Sequence, residues 1–264
     1  MASGPAMDLQ AGYATNPSAV NTVLTNPAGD TFVVRNFPQP GGAWLEQMIR
    51  AGAAAGVMRV RSPLIHDVSQ GIRVAIPAGA SPNVIYQGIC QPLQPQDSLI
   101  VDTTGGASET DVCVIGTYYS ALPGASARLY DYPTIQGSVV NIEAIQVAVT
   151  SSATIGAWTS ALINVTQDTT RANTDYAVLG YETDTALAAI AIYGPDTANL
   201  RCGGPGFVQP LETRDYFVRM SRLTGRPHIP VFNSANKGST NVAVIANTAS
   251  VAANVTLICA QVTV

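Results

Sequence analysis

The basic residues with the most suggestive spacing are Arg59, Arg61 and Arg73. Arg59 and Arg61 lie two apart in GVMRVRSP, so on an extended strand they face the same way, and Arg73 follows on GIRVAIPAG, the natural hairpin partner. Three guanidiniums on one face form a compact patch suited to carboxylates of a neighbouring subunit or to phosphates of packaged nucleic acid. The same residues would equally serve as a solvated strand edge with local ion pairs. Arg214, Arg219, Arg222 and Arg226 surround Asp215 and the Tyr216-Phe217 pair, and the same two readings apply to them.

Little else in the chain is equipped for catalysis. There are two histidines. His66 sits in SPLIHDVSQG, a polar turn between strands where Asp67 is adjacent but, on an extended backbone, faces the opposite way. His228 sits in GRPHIPVF between two prolines that hold the backbone extended, and a loop hydrogen bond is expected of it. No H-x-x-x-H or clustered Cys/His spacing occurs. The four cysteines, Cys90, Cys113, Cys202 and Cys259, are scattered in strand-like contexts and read as free buried thiols. CGGPGF at 202–207 and GGAS at 105–108 do not open helices, so they read as turns and not as phosphate cradles. Asp168, Asp175, Glu182 and Asp184 lack the spacing of a calcium loop. The sequence therefore predicts no enzyme, no cofactor and no metal.

The elements that carry these residues belong to a chain of unusual composition. Only 11% of its 264 residues are charged, against roughly 25% for an average soluble protein. A surface so poor in charge suits burial against neighbouring copies, which predicts a homo-oligomer. Lys237 is the one lysine, and the arginine skew fits either interface chemistry or a GC-rich coding sequence. A net charge of −4 without a basic run argues against a polycationic grip on nucleic acid. The N-terminal sequence lacks the form of a signal peptide and no apolar run reaches the length of a membrane span, so synthesis in a cytoplasm is expected.

Short β-branched and aromatic segments recur between Gly, Pro, Asn and Asp punctuation. In the first half they are 31–37, 57–61, 71–76, 83–89, 98–102 and 111–119. In the second they are 139–150, 161–166, 176–181, 187–193, 216–220, 229–232, 241–246 and 254–264. Trp44, Leu45, Met48 and Ile49 fall on a helical stripe, which predicts a helix over 43–55. The expected organisation is an extended, unpacked arm over 1–25, a first β-sandwich over 26–132 and a second over 133–264. The fold class is thus all-β, two tandem antiparallel jelly-roll-like sandwiches with one short helix in the first. Deleting the arm is expected to weaken assembly and leave the core folded.

The Pro/Asn/Ala-rich beginning, the low charge, the Ala/Thr/Val-rich strands, the AWLEQMIRAGAAAG insertion and the two similar β halves together resemble a bacteriophage or viral capsid protein. The resemblance is to small double-barrel shell proteins of tailless phages, over nearly the whole chain and in style, without a specific motif. It implies a virion structural subunit that assembles with itself into trimers or similar rings, each barrel upright, beside other virion proteins. Against it stands a decoration, fibre or baseplate module that binds carbohydrate or a receptor through an aromatic platform. Trp158, Tyr118, Tyr119, Tyr130, Tyr132 and Tyr193 are its candidate residues. A third reading, an enzyme using His66 or His228, has the least support.

Overall fold

A computed structural model describes residues 3–15, 22–36, 41–51, 55–76, 83–84, 92–104, 110–163, 171–206, 213–246 and 248–264. The fold is all-β, with four antiparallel sheets among these residues. The first sheet runs β2 (Thr22–Val23), β8 (Ile100–Thr104), β4 (Gly56–Arg61) and β5 (Ile72–Ile76). The second holds β1 (Ser3–Thr15), β9 (Thr110–Pro123), β3 (Gly41–Ala51) and β6 (Asn83–Val84), with β7 (Pro92–Leu93) also paired to β3. The third runs β12 (Thr159–Leu162), β17 (Asn241–Ile245), β14 (Ala189–Tyr193) and β15 (Cys202–Pro205). The fourth runs β10 (Leu129–Tyr130), β16 (Ile229–Asn233), β13 (Asp175–Thr183), β18 (Ala252–Val262) and β11 (Val139–Thr150). Among the described residues, strands before residue 124 pair only with one another, and so do those after residue 128.

Strict alternation along the strands makes three apolar layers between the four sheets. On β9, Cys113 and Ile115 face the first sheet with Met58, Val60 and Val101, whereas Val112 and Val114 face the third with Ala189, Ala191 and Ile245. On β14 and β17, Ile190, Ile192, Val242 and Val244 turn the other way, toward Val147, Val255 and Leu257 of the fourth sheet. The order is therefore first, second, third, fourth, like two sandwiches pressed together by their inner sheets. Small side chains of the third sheet, Ala188, Ala189 and Ala191, let the two inner sheets approach closely.

Residues 43–51 form strand β3 where a helix was expected. A β-bulge lies between Leu45 and Gln47 in the pairing with β9. It puts Ala43, Leu45 and Met48 in the first layer, while Trp44 and Ile49 join the layers on the opposite side. A bulged strand buried on both faces thus produces apolar pairs at the spacing of a helical stripe. Residues 52–54 of the expected helix lie outside the described residues.

The unpacked arm is likewise overturned. Ser3–Thr15 pairs along its length with β9, and Met7, Leu9, Ala11 and Ala14 are buried. The strand has no clear period because both faces are covered. Residues 216–220, expected as a strand, belong to helix α2 (Tyr216–Thr224), whose buried Tyr216, Phe217 and Met220 fall at i, i+1 and i+4. It ends at Gly225, where φ is +64°. Helix α1 (Tyr132–Ser138) occupies the crossing between halves, capped by the Asp131 side chain accepting from the Thr134 amide, with Pro133 in its first turn.

Candidate interaction surfaces

The register of β4 and β5 sets Arg59 directly opposite Arg73, and Arg61 follows on the same face of β4. The guanidiniums of Arg59 and Arg73 already have local partners. Arg59 donates from Nε to Asp102 at 2.6 Å and from Nη1 to the Val68 carbonyl at 3.3 Å. Arg61 is buried, and its Nε has no hydrogen-bond partner among the described residues. Arg73 is the exposed member, and it donates to the Ser69 carbonyl at 3.3 Å. Two of these arginines thus brace the loop at 62–71, which joins their strands.

That loop is the sharpest feature of the surface. Leu64 is 66% exposed and Val68 74%, with Ile65 also exposed beside them. SPLIHDVSQG is a turn as expected, and its aliphatic side chains stand exposed beside polar groups that bond the loop backbone. Asp97, buried, accepts from the Ser62 hydroxyl and, at 3.1 Å, from the Leu64 amide. His66 Nδ1 accepts from the Ser62 amide at 3.0 Å, so this histidine fastens the turn. Asp67 Oδ1 accepts from the Ser69 hydroxyl and amide and from the Gln70 amide, which hold its carboxyl below the usual carboxylate range. Gly71 closes the loop at φ +145°, where a Cβ would meet the Val60 carbonyl at 2.8 Å. The product is a rigid aliphatic knob with one anionic group.

A groove of about 520 Å³ opens at the far end of the stack, on the fourth sheet. Tyr132 and Ile135 of α1, Val218 of α2, Leu179, Ile258 and the exposed Val139 supply its apolar lining. Arg214, exposed and paired with Glu182 at 3.0 Å, and Asp215, paired with Arg219 at 2.6 Å, stand at its rim. Arg222 stacks over the Tyr132 ring at 3.8 Å. Beside the groove β11 is the outermost strand of its sheet, and its Val140 and Ile142 are exposed, the latter at 61%.

No family model matches the chain, and a search of curated proteins also found no match. The chain is similar to one in a solved structure described as "Life in the extremes: atomic structure of Sulfolobus Turreted Icosahedral Virus". Identity is 12% over 99% of this chain, at a TM-score of 0.25. The chain spans about half, 54%, of that protein. A likeness of this size carries no argument, so the functional reading rests on this chain's own surfaces.

The second arginine cluster is dispersed among local partners: Arg214 on Glu182, Arg219 on Asp215, Arg222 on Tyr132 and Arg226 over Tyr118 at 5.2 Å. The candidate aromatics do not make one platform. Tyr118 and Tyr119 are buried, Trp158 packs against the middle layer beneath Arg201, and the Tyr193 hydroxyl is bonded to Ser160. Cys113, Cys202 and Cys259 are free and buried, and Cys90 lies outside the described residues.

Sequence reasoning missed the polar pins of the seam between the halves. Glu46, wholly buried in the β3 bulge, accepts from the Tyr216 hydroxyl at 2.6 Å and from the Trp44 indole. Burial drives its carboxyl up to about 7 in spite of those two donors. Gln47 exchanges two bonds with the Gly206 backbone, and the Asp8 carboxylate accepts from the Arg201 amide at 3.0 Å and pairs with Arg35. His228, expected to make a loop hydrogen bond, is buried against the Tyr118 and Trp44 rings, and neither nitrogen has a hydrogen-bond partner among the described residues. Burial, with Arg226 nearby, lowers its pKa to about 3, so the ring is neutral.

Proposed function

We propose that this chain is a structural subunit of a bacteriophage or other virus, building a shell from copies of itself and catalysing no reaction of its own. The observation that carries the reading is the clustering of exposed aliphatic side chains on a protein only 11% charged. Leu64, Ile65 and Val68 form one cluster, and Val139, Val140 and Ile142 another. Exposed aliphatic groups held together on rigid elements are a standing cost in water, offset when an identical neighbour covers them. The stacked sheets supply the stiffness a shell subunit needs. Trimeric or higher rings are the proposed building unit, the virion is the proposed location, and exposed Arg73 is the proposed point of contact with acidic neighbours or packaged nucleic acid.

Negative-stain electron microscopy of the purified protein tests this directly. Closed particles or regular rings of repeated subunits are the expected image. A field of single molecules at concentrations well above those of expression would overturn the proposal.

A further inference from the structure

We infer that assembly is head to tail, the aliphatic knob at 63–68 of one copy seating in the groove between α1, α2 and the fourth sheet of the next copy. The inference rests on the self-assembling reading and specifies its contact. Both surfaces are apolar at the centre and charged at the margin, the usual anatomy of a specific protein interface. The groove has the volume of sites that enclose drug-sized ligands, enough for two or three aliphatic side chains.

The margins are complementary in sign. Asp67, the acidic group of the knob, makes no ion pair among the described residues, whereas Arg222 at the groove stacks on Tyr132 and has no carboxylate partner among them. Seating the knob brings this anion toward Arg222 and the exposed Arg214. The knob extends from the first sheet and the groove lies on the fourth, with the second and third sheets between them. One molecule cannot therefore fill its own groove, and a second copy supplies what is missing. Because Asp97, His66, Arg59 and Arg73 already hold the loop, little freedom is lost when it docks. Two different patches joined in this way make a heterologous contact, which closes into a ring or propagates through a lattice.

The decisive experiment mixes two disabled variants. Leu64→Asp/Val68→Asp spoils only the knob and Val139→Asp only the groove, and the substituted side chains are exposed, so both proteins should keep the wild-type circular dichroism spectrum and melting midpoint. By size-exclusion chromatography with light scattering, wild type is expected as oligomers, each variant alone as a single chain, and their mixture as a species of twice the single-chain mass, since one good knob and one good groove remain. Oligomers of wild type that persist undiminished in both folded variants would overturn the head-to-tail contact and leave self-assembly standing. Two folded variants that stay single chains even when mixed would exclude a knob-and-groove pair. Wild type that remains a single chain, or that only floats with phosphatidylcholine vesicles, would remove self-assembly itself and assign the knob to lipid.

Discussion

At the scale of single residues, the seam between the halves holds two neutral groups whose protons oppose one another. Glu46 keeps its proton up to about pH 7, above its ordinary value near 4.5. Its contribution to stability is full below about pH 4.5 and is lost as pH rises toward 7, by about 3 kcal/mol in all. His228 has its pKa lowered from 6.5 to about 3, so its contribution is present above about pH 6.5 and is lost as pH falls toward 3. The two slopes have opposite sign between about pH 4.5 and 6.5 and largely cancel there. Urea titrations across this range should find Glu46→Gln gaining stability relative to wild type as pH rises, and His228→Gln losing it relative to wild type. Parallel profiles for all three proteins would contradict the assignment. Close packing at Gly116 is a second residue-scale constraint, because a Cβ there would lie 2.7 Å from the Trp44 indole. Gly116→Ala is expected to cost about 1–3 kcal/mol in the same assay, and an unchanged midpoint would mean that Trp44 moves freely.

At the scale of elements, β1 is the strand whose role departs furthest from its sequence. It places Met7, Leu9, Ala11 and Ala14 in the apolar layers and fixes Asp8 between Arg35 and the Arg201 amide. Deleting residues 1–15 should therefore abolish the cooperative thermal transition followed by far-UV circular dichroism. A soluble truncated protein melting like wild type would restore the detachable arm. Strands covered on one face were legible, since alternation survives in them: β11 occupies the expected 139–150, with Ile145, Val147 and Val149 buried and their neighbours exposed. Among strands covered on both faces, β9 was still legible at 111–119, whereas β1 was not, and the bulge in β3 turned a strand into an apparent helix. Helix α2 was hidden by Tyr216, Phe217 and Val218, which favour strands. The arginine register was readable from the hairpin between β4 and β5, but the knob was not, because Ser, His, Asp and Gln in its sequence suggested a wet turn. Only Pro63-Leu64-Ile65 with Val68 carried the contrary signal. The pins of the seam join residues 159 to 193 positions apart, and no local pattern announces such pairs.

At the scale of the whole molecule, four stacked sheets make one stiff body out of two sandwiches. Small residues allow the close approach of the inner pair, so Ala191→Leu should overfill the seam and destabilise the fold by about 1–3 kcal/mol, read as a lowered melting midpoint. A stiff body with aliphatic groups at each end has a simple way to relieve their exposure, which is to meet its own kind. Sedimentation velocity over a concentration series tests that claim most directly. Growth of discrete, larger species as concentration rises is the predicted result, and a single boundary at the mass of one chain throughout the series would contradict it.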